Sequence, residues 1–234
     1  GPDEQRPAGT GRVLAASALP EGEQNRGPAA STRAGMDRVR EQLVAATGRT
    51  AEAGFDWLEL HCAHGYLLSA FIRPLTNLRE DEYGGSLENR CRYPLEVFDA
   101  IRDAFPKDKP IGVKVSATDW VEGGWDVEQT IAFAHELKTR GVDWIDASSG
   151  GVSPQQKIPL GPGYQVPFAE KIKAETGITT MAVGLITEAR QAEEIFASGK
   201  ADMVALARGM LYDPRWGWHA AAELGASVSA PPQY

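Results

Sequence analysis

The sequence predicts an α/β protein of (β/α)8-barrel type, present as a partial barrel of about five βα units. Three observations predict it. Short apolar runs alternate with amphipathic stretches, the order that builds a parallel sheet wrapped by helices. The runs are apolar at both odd and even positions, as strands buried on two faces are. Three of them, at 55–61, 111–118 and 202–208, end in polar residues, and barrels gather functional side chains at the C-terminal ends of their strands. A full barrel takes about 250 residues. The 234 residues here show five strands, so the region from residue 36 to 234 reads as the C-terminal part of a barrel.

Residues 1–35 are rich in Gly, Pro, Ala and polar side chains and read as an irregular segment with one brief strand in "RVLAASALP". From Met36, "MDRVREQLVAATGRTAEAG" spaces Val39, Leu43, Val44 and Ala51 as a helix does and stops at Gly54. The strand "FDWLELH" follows. Further strands are "IGVKVSAT", "VDWIDAS", "TTMAVG" and "DMVALAR". Helices are expected at about 88–104, 126–140, 167–176 and 188–198, with a last one in "RWGWHAAAELG". "AGFDWLELH" and "RGVDWIDAS" are the nearest approach to an internal repeat: glycine, one residue, Asp, Trp, then an apolar run.

Composition narrows the function. The chain is 42% hydrophobic and 24% charged with a net charge of −8, which argues against a nucleic-acid or anionic-membrane surface. No apolar run approaches the roughly 18 residues that span a bilayer. Two cysteines, Cys62 and Cys91, make neither a disulfide framework nor a zinc site. A reducing, cytoplasmic setting is the expectation, with no membrane and no nucleic-acid partner.

Two of the four histidines lie three residues apart in "LELHCAHGY". On a strand, Trp57, Glu59 and His61 face one way and Leu58, Leu60 and Cys62 the other. If the leucines pack on helices, His61 points to the barrel interior at the strand end. Gly65 permits a tight turn that returns His64 to the same mouth, with Tyr66 beside it. Two imidazoles and a phenol at one rim suit polarising a carbonyl oxygen and delivering a proton. A buried structural histidine followed by a loop histidine fits the spacing about equally well. No third ligand is spaced for a metal site, because His135 and His219 fall on expected helices.

Lys114 shares parity with Gly112 and Ser116 and so faces the interior. A buried ammonium needs an anion or an electron-rich ligand; the competing reading is an internal ion pair with Glu59 or Asp146. Gly184 and Gly209 border loops that lead into helices, and Arg208 is expected to end its strand. Late strand-to-helix turns of barrels often bind phosphate. The charged stretch "RPLTNLREDEYGGSLENRCRYPLEVF" reads first as a long loop braced by ion pairs and a helix capped by Ser86, and second as a wall of the site.

These residues resemble a known family. "ELHCAHGYLLSAFIRPLTNLREDEYGGSLENRCRYPLEVFDAIR", with "VKVSATDW", "DASSGG", "GPGYQVPFA", "AVGLIT" and "ADMVALARGMLYDPRW", looks like the flavin-dependent Old Yellow Enzyme family, in its thermophilic-like, xenobiotic-reductase branch. The resemblance spans roughly residues 12–234. It implies a barrel holding FMN, reduced by NADPH or NADH, that reduces the C=C bond of an enone-type small molecule. His61 and His64 match the pair that holds the substrate carbonyl, and Tyr66 the proton donor. Lys114 matches a basic residue, usually arginine, beside the flavin pyrimidine edge. Gly184, Ala207 and Arg208 match the phosphate site, with Ala207 where the family commonly has glycine. The family's first three strands have no counterpart here. That leads to the expectation of a homo-oligomer or a complementing N-terminal fragment, and to the alternative of a non-catalytic partial barrel that binds flavin only with a partner chain or in a swapped dimer.

Overall fold

In the computed structural model, which describes residues 13–19 and 28–233, the expected alternation is realised from residue 33 onward. Helix α1 (Arg33–Glu52) leads to β3 (Leu58–Cys62), preceded among the described residues by two short strands, β1 (Leu14–Ala15) and β2 (Ala29–Ala30). Then come α2 (Leu67–Ile72), α3 (Leu87–Ala104), β4 (Ile111–Ser116), α4 (Val127–Thr139) and β5 (Trp144–Ser148). The chain continues through α5 (Val166–Thr176), β6 (Thr179–Val183), α6 (Ala189–Ala197), β7 (Met203–Ala205), α7 (Arg208–Tyr212) and α8 (Trp216–Glu223).

The five long-range strands form one parallel sheet in the order β3-β4-β5-β6-β7. Chain order equals spatial order, each crossover being covered by a helix. That is the winding of a (β/α)8 barrel, taken through five strands. Among the described residues β3 and β7 each have one neighbour in this sheet, so it is an unclosed barrel wall, a trough open along both edges.

The convex side holds the core. Leu60, Cys62, Val113, Val115, Ile145, Ala147 and Ala182 pack outward against Val97, Phe98, Ile101, Phe133, Leu137, Ala169 and Ile172 of the helices. Glu59 and His61 lie on the opposite face of β3 and are exposed. The period-2 alternation therefore sets the core face as expected. Ser86 caps α3 as expected, its Oγ accepting from Asn89 N at 3.2 Å, and Asp126, expected inside the helix, instead caps α4 by accepting from Gln129 N through Oδ1 at 2.9 Å.

Several elements depart from expectation. Strand β1 lies in "RVLAASALP", where one brief strand is expected, but it pairs in parallel with a second strand, β2, and α1 starts at Arg33, capped by Thr32 Oγ1. Residues 1–12 and 20–27 lie outside the described residues. "LLSAFI" is a helix with five of its six residues buried; too short and too apolar to show a 3.6-residue stripe, it reads in sequence as loop. Strand β7 ends at Ala205, and Arg208 opens α7 rather than ending a strand.

The charged stretch after α2 is a braced loop. Asn77 Nδ2 donates to the carbonyls of Phe71 (2.6 Å) and Tyr83 (2.7 Å), and Tyr83 OH donates to Glu96 at 3.0 Å. Arg79 pairs with Asp81 and donates to the carbonyls of Ala16 and Ser31, tying the β1–β2 segment down. Among the described residues no helix is long and apolar enough to cross a membrane, and no group of three or more His, Cys, Asp or Glu side chains is placed to hold a metal ion.

Candidate active site

Register fixes what shares the concave face. His61 of β3 pairs with Lys114 of β4, Lys114 with Asp146 of β5, and Asp146 with Met181 of β6. Paired residues of a parallel sheet point the same way, so these four form one row. Lys114 and Asp146 are joined as an ion pair, the lysine side chain 20% exposed and the aspartate 3%. Burial pushes the Asp146 carboxyl above its ordinary range, opposed by the Lys114 charge. Asp146 Oδ1 is buried without a hydrogen-bond partner. The ion-pair reading of Lys114 is therefore correct for its Asp146 branch, and its partly open ammonium still faces the trough.

One row nearer the strand starts, the Trp144 indole N–H donates to Glu59 at 3.3 Å. Gly112 lies opposite Trp144 in register, and a Cβ there would sit 1.9 Å from the indole Cε2. The ring lies flat over a residue with no side chain. Burial raises the Glu59 carboxyl pKa as well, with the nearby Asp146 charge adding to it.

One row nearer the strand ends, the turn after β3 brings His64 back. His64 and Gly65 both have positive φ, 59° and 76°, and Tyr66 N donates to Ala63 O at 3.3 Å. Two central residues of positive φ make the tight reversal of a type I′ turn. It is held from above by the β5–α5 loop. A Cβ on Gly65 would lie 2.7 Å from Gly151 O, and one on Gly151 2.8 Å from His64 Cα. The two loops touch backbone to backbone because neither residue has a side chain.

The predicted rim is assembled. The His61 and His64 rings are 5.4 Å apart between centroids, and His61 and Tyr66 5.2 Å. His64 Nε2 lies 2.7 Å from Ser148 Oγ, and His64 N donates to Ser116 Oγ at 3.0 Å. Burial, followed by the neighbouring His61 and the Lys114 charge, depresses the His64 pKa to about 4. Burial and then Lys114 lower that of His61. His64 is therefore a neutral imidazole at neutral pH, able to donate one hydrogen bond without carrying charge.

Gly184 follows β6 with φ 120°, and a Cβ there would lie 2.6 Å from Gln165 Nε2. Ala207 and Arg208 follow β7 and are exposed. Because β6 and β7 are paired, these two loops leave the sheet side by side, on the same end as the histidines but at the opposite lip of the trough. The structure thus gathers His61, His64, Tyr66 and Lys114 at one lip and Gly184, Ala207 and Arg208 at the other. Sequence reasoning did not single out Ser116, Ser148, Gly151 or Gln165, which hold His64 and the adjoining loops. The inward parity of Ser116 and Ser148 was the available signal.

With this geometry in place, comparison with known proteins defines the class. The sequence profile of the NADH:flavin oxidoreductase / NADH oxidase family matches residues 16–226, and the chain belongs to that family, which includes the Old Yellow Enzymes. Among its relatives, an NADPH dehydrogenase of Geobacillus sp. (strain WCH70) is 48% identical over 224 residues, and that of Geobacillus thermodenitrificans (strain NG80-2) is 45% identical. Each match covers 96% of this chain and 65% of the relative, so the chain spans just under two thirds of their length. Among solved structures, morphinone reductase in complex with tetrahydroNAD superposes with a TM-score of 0.73 at 27% identity, over 95% of this chain and 62% of that one. A 2-naphthoyl-CoA reductase shares the fold with a TM-score of 0.82 at 24% identity, over 92% of this chain and 33% of the other.

Proposed function

We propose that this chain carries the substrate-activating and phosphate-binding side of an FMN-dependent NAD(P)H oxidoreductase that reduces the C=C bond of α,β-unsaturated carbonyl compounds. The observation that carries the reading is the convergence of His61, His64 and Tyr66 beside the partly open ammonium of Lys114. The residues present fit the group. Lys114 would face the pyrimidine edge of the flavin, and Gly184, Ala207 and Arg208 would hold its phosphate between adjacent strand ends. FMN, when bound, supplies the two-electron chemistry between nicotinamide and substrate.

The chain's own side chains have distinct tasks. His61 and His64, kept neutral, donate hydrogen bonds to the substrate carbonyl oxygen. This draws electron density from the alkene and favours addition at the β carbon. Tyr66, 49% exposed and in tilted ring contact with His61, is placed to give a proton to the α carbon. Lys114 offers positive charge, tempered by Asp146 beneath it.

The open trough between β3 and β7 favours a second element of the reading: flavin is retained only when partner strands, from the same polypeptide, a second copy or an N-terminal complement, close the barrel. Phe55 and Trp57 are exposed ahead of β3, and Leu211 and Tyr212 are exposed beyond β7, so both lips present apolar surface to such a partner. A reducing, cytoplasmic setting suits the two free buried thiols, Cys62 and Cys91.

The test is reconstitution with FMN, followed by gel filtration with detection at the flavin absorbance, then NADPH oxidation with 2-cyclohexenone. Flavin co-eluting with a dimer or with an added N-terminal fragment, and enone-dependent turnover lost in His61→Ala and His64→Ala, is the expected result. Absence of flavin binding in every assembly state would end the redox assignment.

A further inference from the structure

The ring of His64 is gripped at its inner nitrogen by a short polar chain running into the sheet. Gln165, 3% exposed, is oriented by its amide: Nε2 donates to Val183 O at 2.9 Å, which turns Oε1 toward Ser148, the last residue of β5, and Ser149 just after it. Ser149 Oγ donates to that oxygen at 2.5 Å. Ser148 Oγ lies 3.5 Å from the same oxygen but only 2.7 Å from His64 Nε2. A hydroxyl has one proton to give, and hydrogen bonds weaken steeply beyond about 3.2 Å. Gln165 Oε1 is already served by Ser149, so the nearer acceptor for the Ser148 proton is the imidazole.

We propose that Ser148 is a positioning residue that selects the tautomer of His64: its hydroxyl donates to Nε2, the ring proton resides on Nδ1, and the Nδ1–H is the group presented to the mouth. Among the described residues Nδ1 has no hydrogen-bond partner of its own. A neutral imidazole has one donor and one acceptor. The wrong tautomer would aim a lone pair at a carbonyl oxygen and repel it. The backbone that carries the ring is fixed on two sides. His64 N is held by Ser116 Oγ, which itself donates to Gly150 O at 3.0 Å, and the Gly65–Gly151 contact closes the other side. Gln165 acts one step back, by keeping Ser149 occupied and Ser148 aimed.

The tautomer is a property of the chain itself; only its use toward a carbonyl rests on the oxidoreductase reading above. The experiment therefore needs no flavin. The full chain is labelled with 15N, and the histidine ring nitrogens are read by multiple-bond 1H–15N correlation at pH 7, with His64 assigned from the signals missing in His64→Gln. The expected spectrum has Nδ1 in the protonated range and Nε2 in the unprotonated range, the Nδ1–H form in about tenfold excess, as one hydrogen bond of this length supports. Ser148→Ala is expected to move the proton to Nε2, the form free imidazole side chains prefer, and Ser148→Thr to restore the original pattern. Nε2 protonated in the unaltered chain would overturn the proposal, as would an unchanged pattern in Ser148→Ala. Should Ser148→Ala not fold, the unaltered chain and Ser148→Thr decide alone. Failure to bind FMN in every assembly state together with Nδ1–H leaves this inference standing and removes the functional one; FMN binding together with Nε2–H does the reverse.

Discussion

Replacing Arg73 by Met should be the most damaging single change outside the candidate site. Arg73 and Asp119 are both fully buried, and Arg73 Nε reaches Asp119 Oδ1 at 2.5 Å. The same guanidinium donates to Ser69 Oγ and reaches the carbonyl of Ser116. Methionine fills much of the volume but leaves the Asp119 carboxylate without its cation. Burial already raises the pKa of that carboxyl, while Arg73 holds it down. Breaking one side of a buried pair costs about 3–5 kcal/mol, a large share of the roughly 5–15 kcal/mol that hold a domain folded.

In urea, with a slope of about 2–3 kcal/mol per molar for a chain of this size, the midpoint should fall by about 1–2 M. Adding Asp119→Asn removes the stranded charge while keeping an acceptor for Trp125 N, which now donates to Asp119 Oδ2 at 2.9 Å. The double variant should regain about 2 kcal/mol over Arg73→Met. A midpoint shift below 0.3 M on the order-of-magnitude scale just used, or a double variant no more stable than Arg73→Met, would refute the assignment of this pair as a structural clamp. The clamp bears on the site because Ser69 Oγ also accepts from Gly65 N at 3.1 Å, in the turn that carries His64.

Three further outcomes are expected. Gly112→Ala should displace the Trp144 ring and cost about 1–3 kcal/mol by overpacking, visible as a change in near-ultraviolet circular dichroism; unchanged tryptophan signals would contradict the close approach. Lys114→Met should strand the Asp146 carboxylate and cost about 3 kcal/mol in urea, with Lys114→Arg largely retaining stability; equal losses in both would show that charge is not what matters there. For pH, the folded-state pKa of His64 is depressed to about 4 from 6.5, so the unfolded chain takes up this proton first. The contribution is complete above about pH 6.5, declines as pH falls toward 4, and is constant below. The stability difference between the unaltered chain and His64→Gln should shrink over that window, and a difference independent of pH would exclude a neutral, half-buried ring.

Much of this architecture was legible because period-2 and 3.6-residue patterns are local. Leu60 and Cys62 against Glu59 and His61 set the faces of β3, and the Ser86 cap marks a helix start. The turn at His64–Gly65 could be anticipated from one glycine. What was not legible depends on contacts between distant segments. Arg73 and Asp119 are 46 residues apart in sequence, His64 and Ser148 84. No pattern within a window reveals which of several acids or hydroxyls will meet. Lys114 shows the boundary: parity placed it inside, but choosing between Glu59 and Asp146 required the strand register. Helix α7, with Met210, Leu211 and Tyr212 all exposed, was misread because "VALARGML" continues an apolar run past the strand end.

The bare contact between residues 65 and 151 carries a consequence for variation. A methyl group at either site pushes two loops apart, and a methyl at the second cannot compensate for one at the first. Substitution tolerance across the chain should therefore show a linked pair of forbidden sites that bear no reactive atom. Their intolerance would record the width of a gap rather than a chemical role, and any assignment of function from invariance alone would mistake a spacer for a participant.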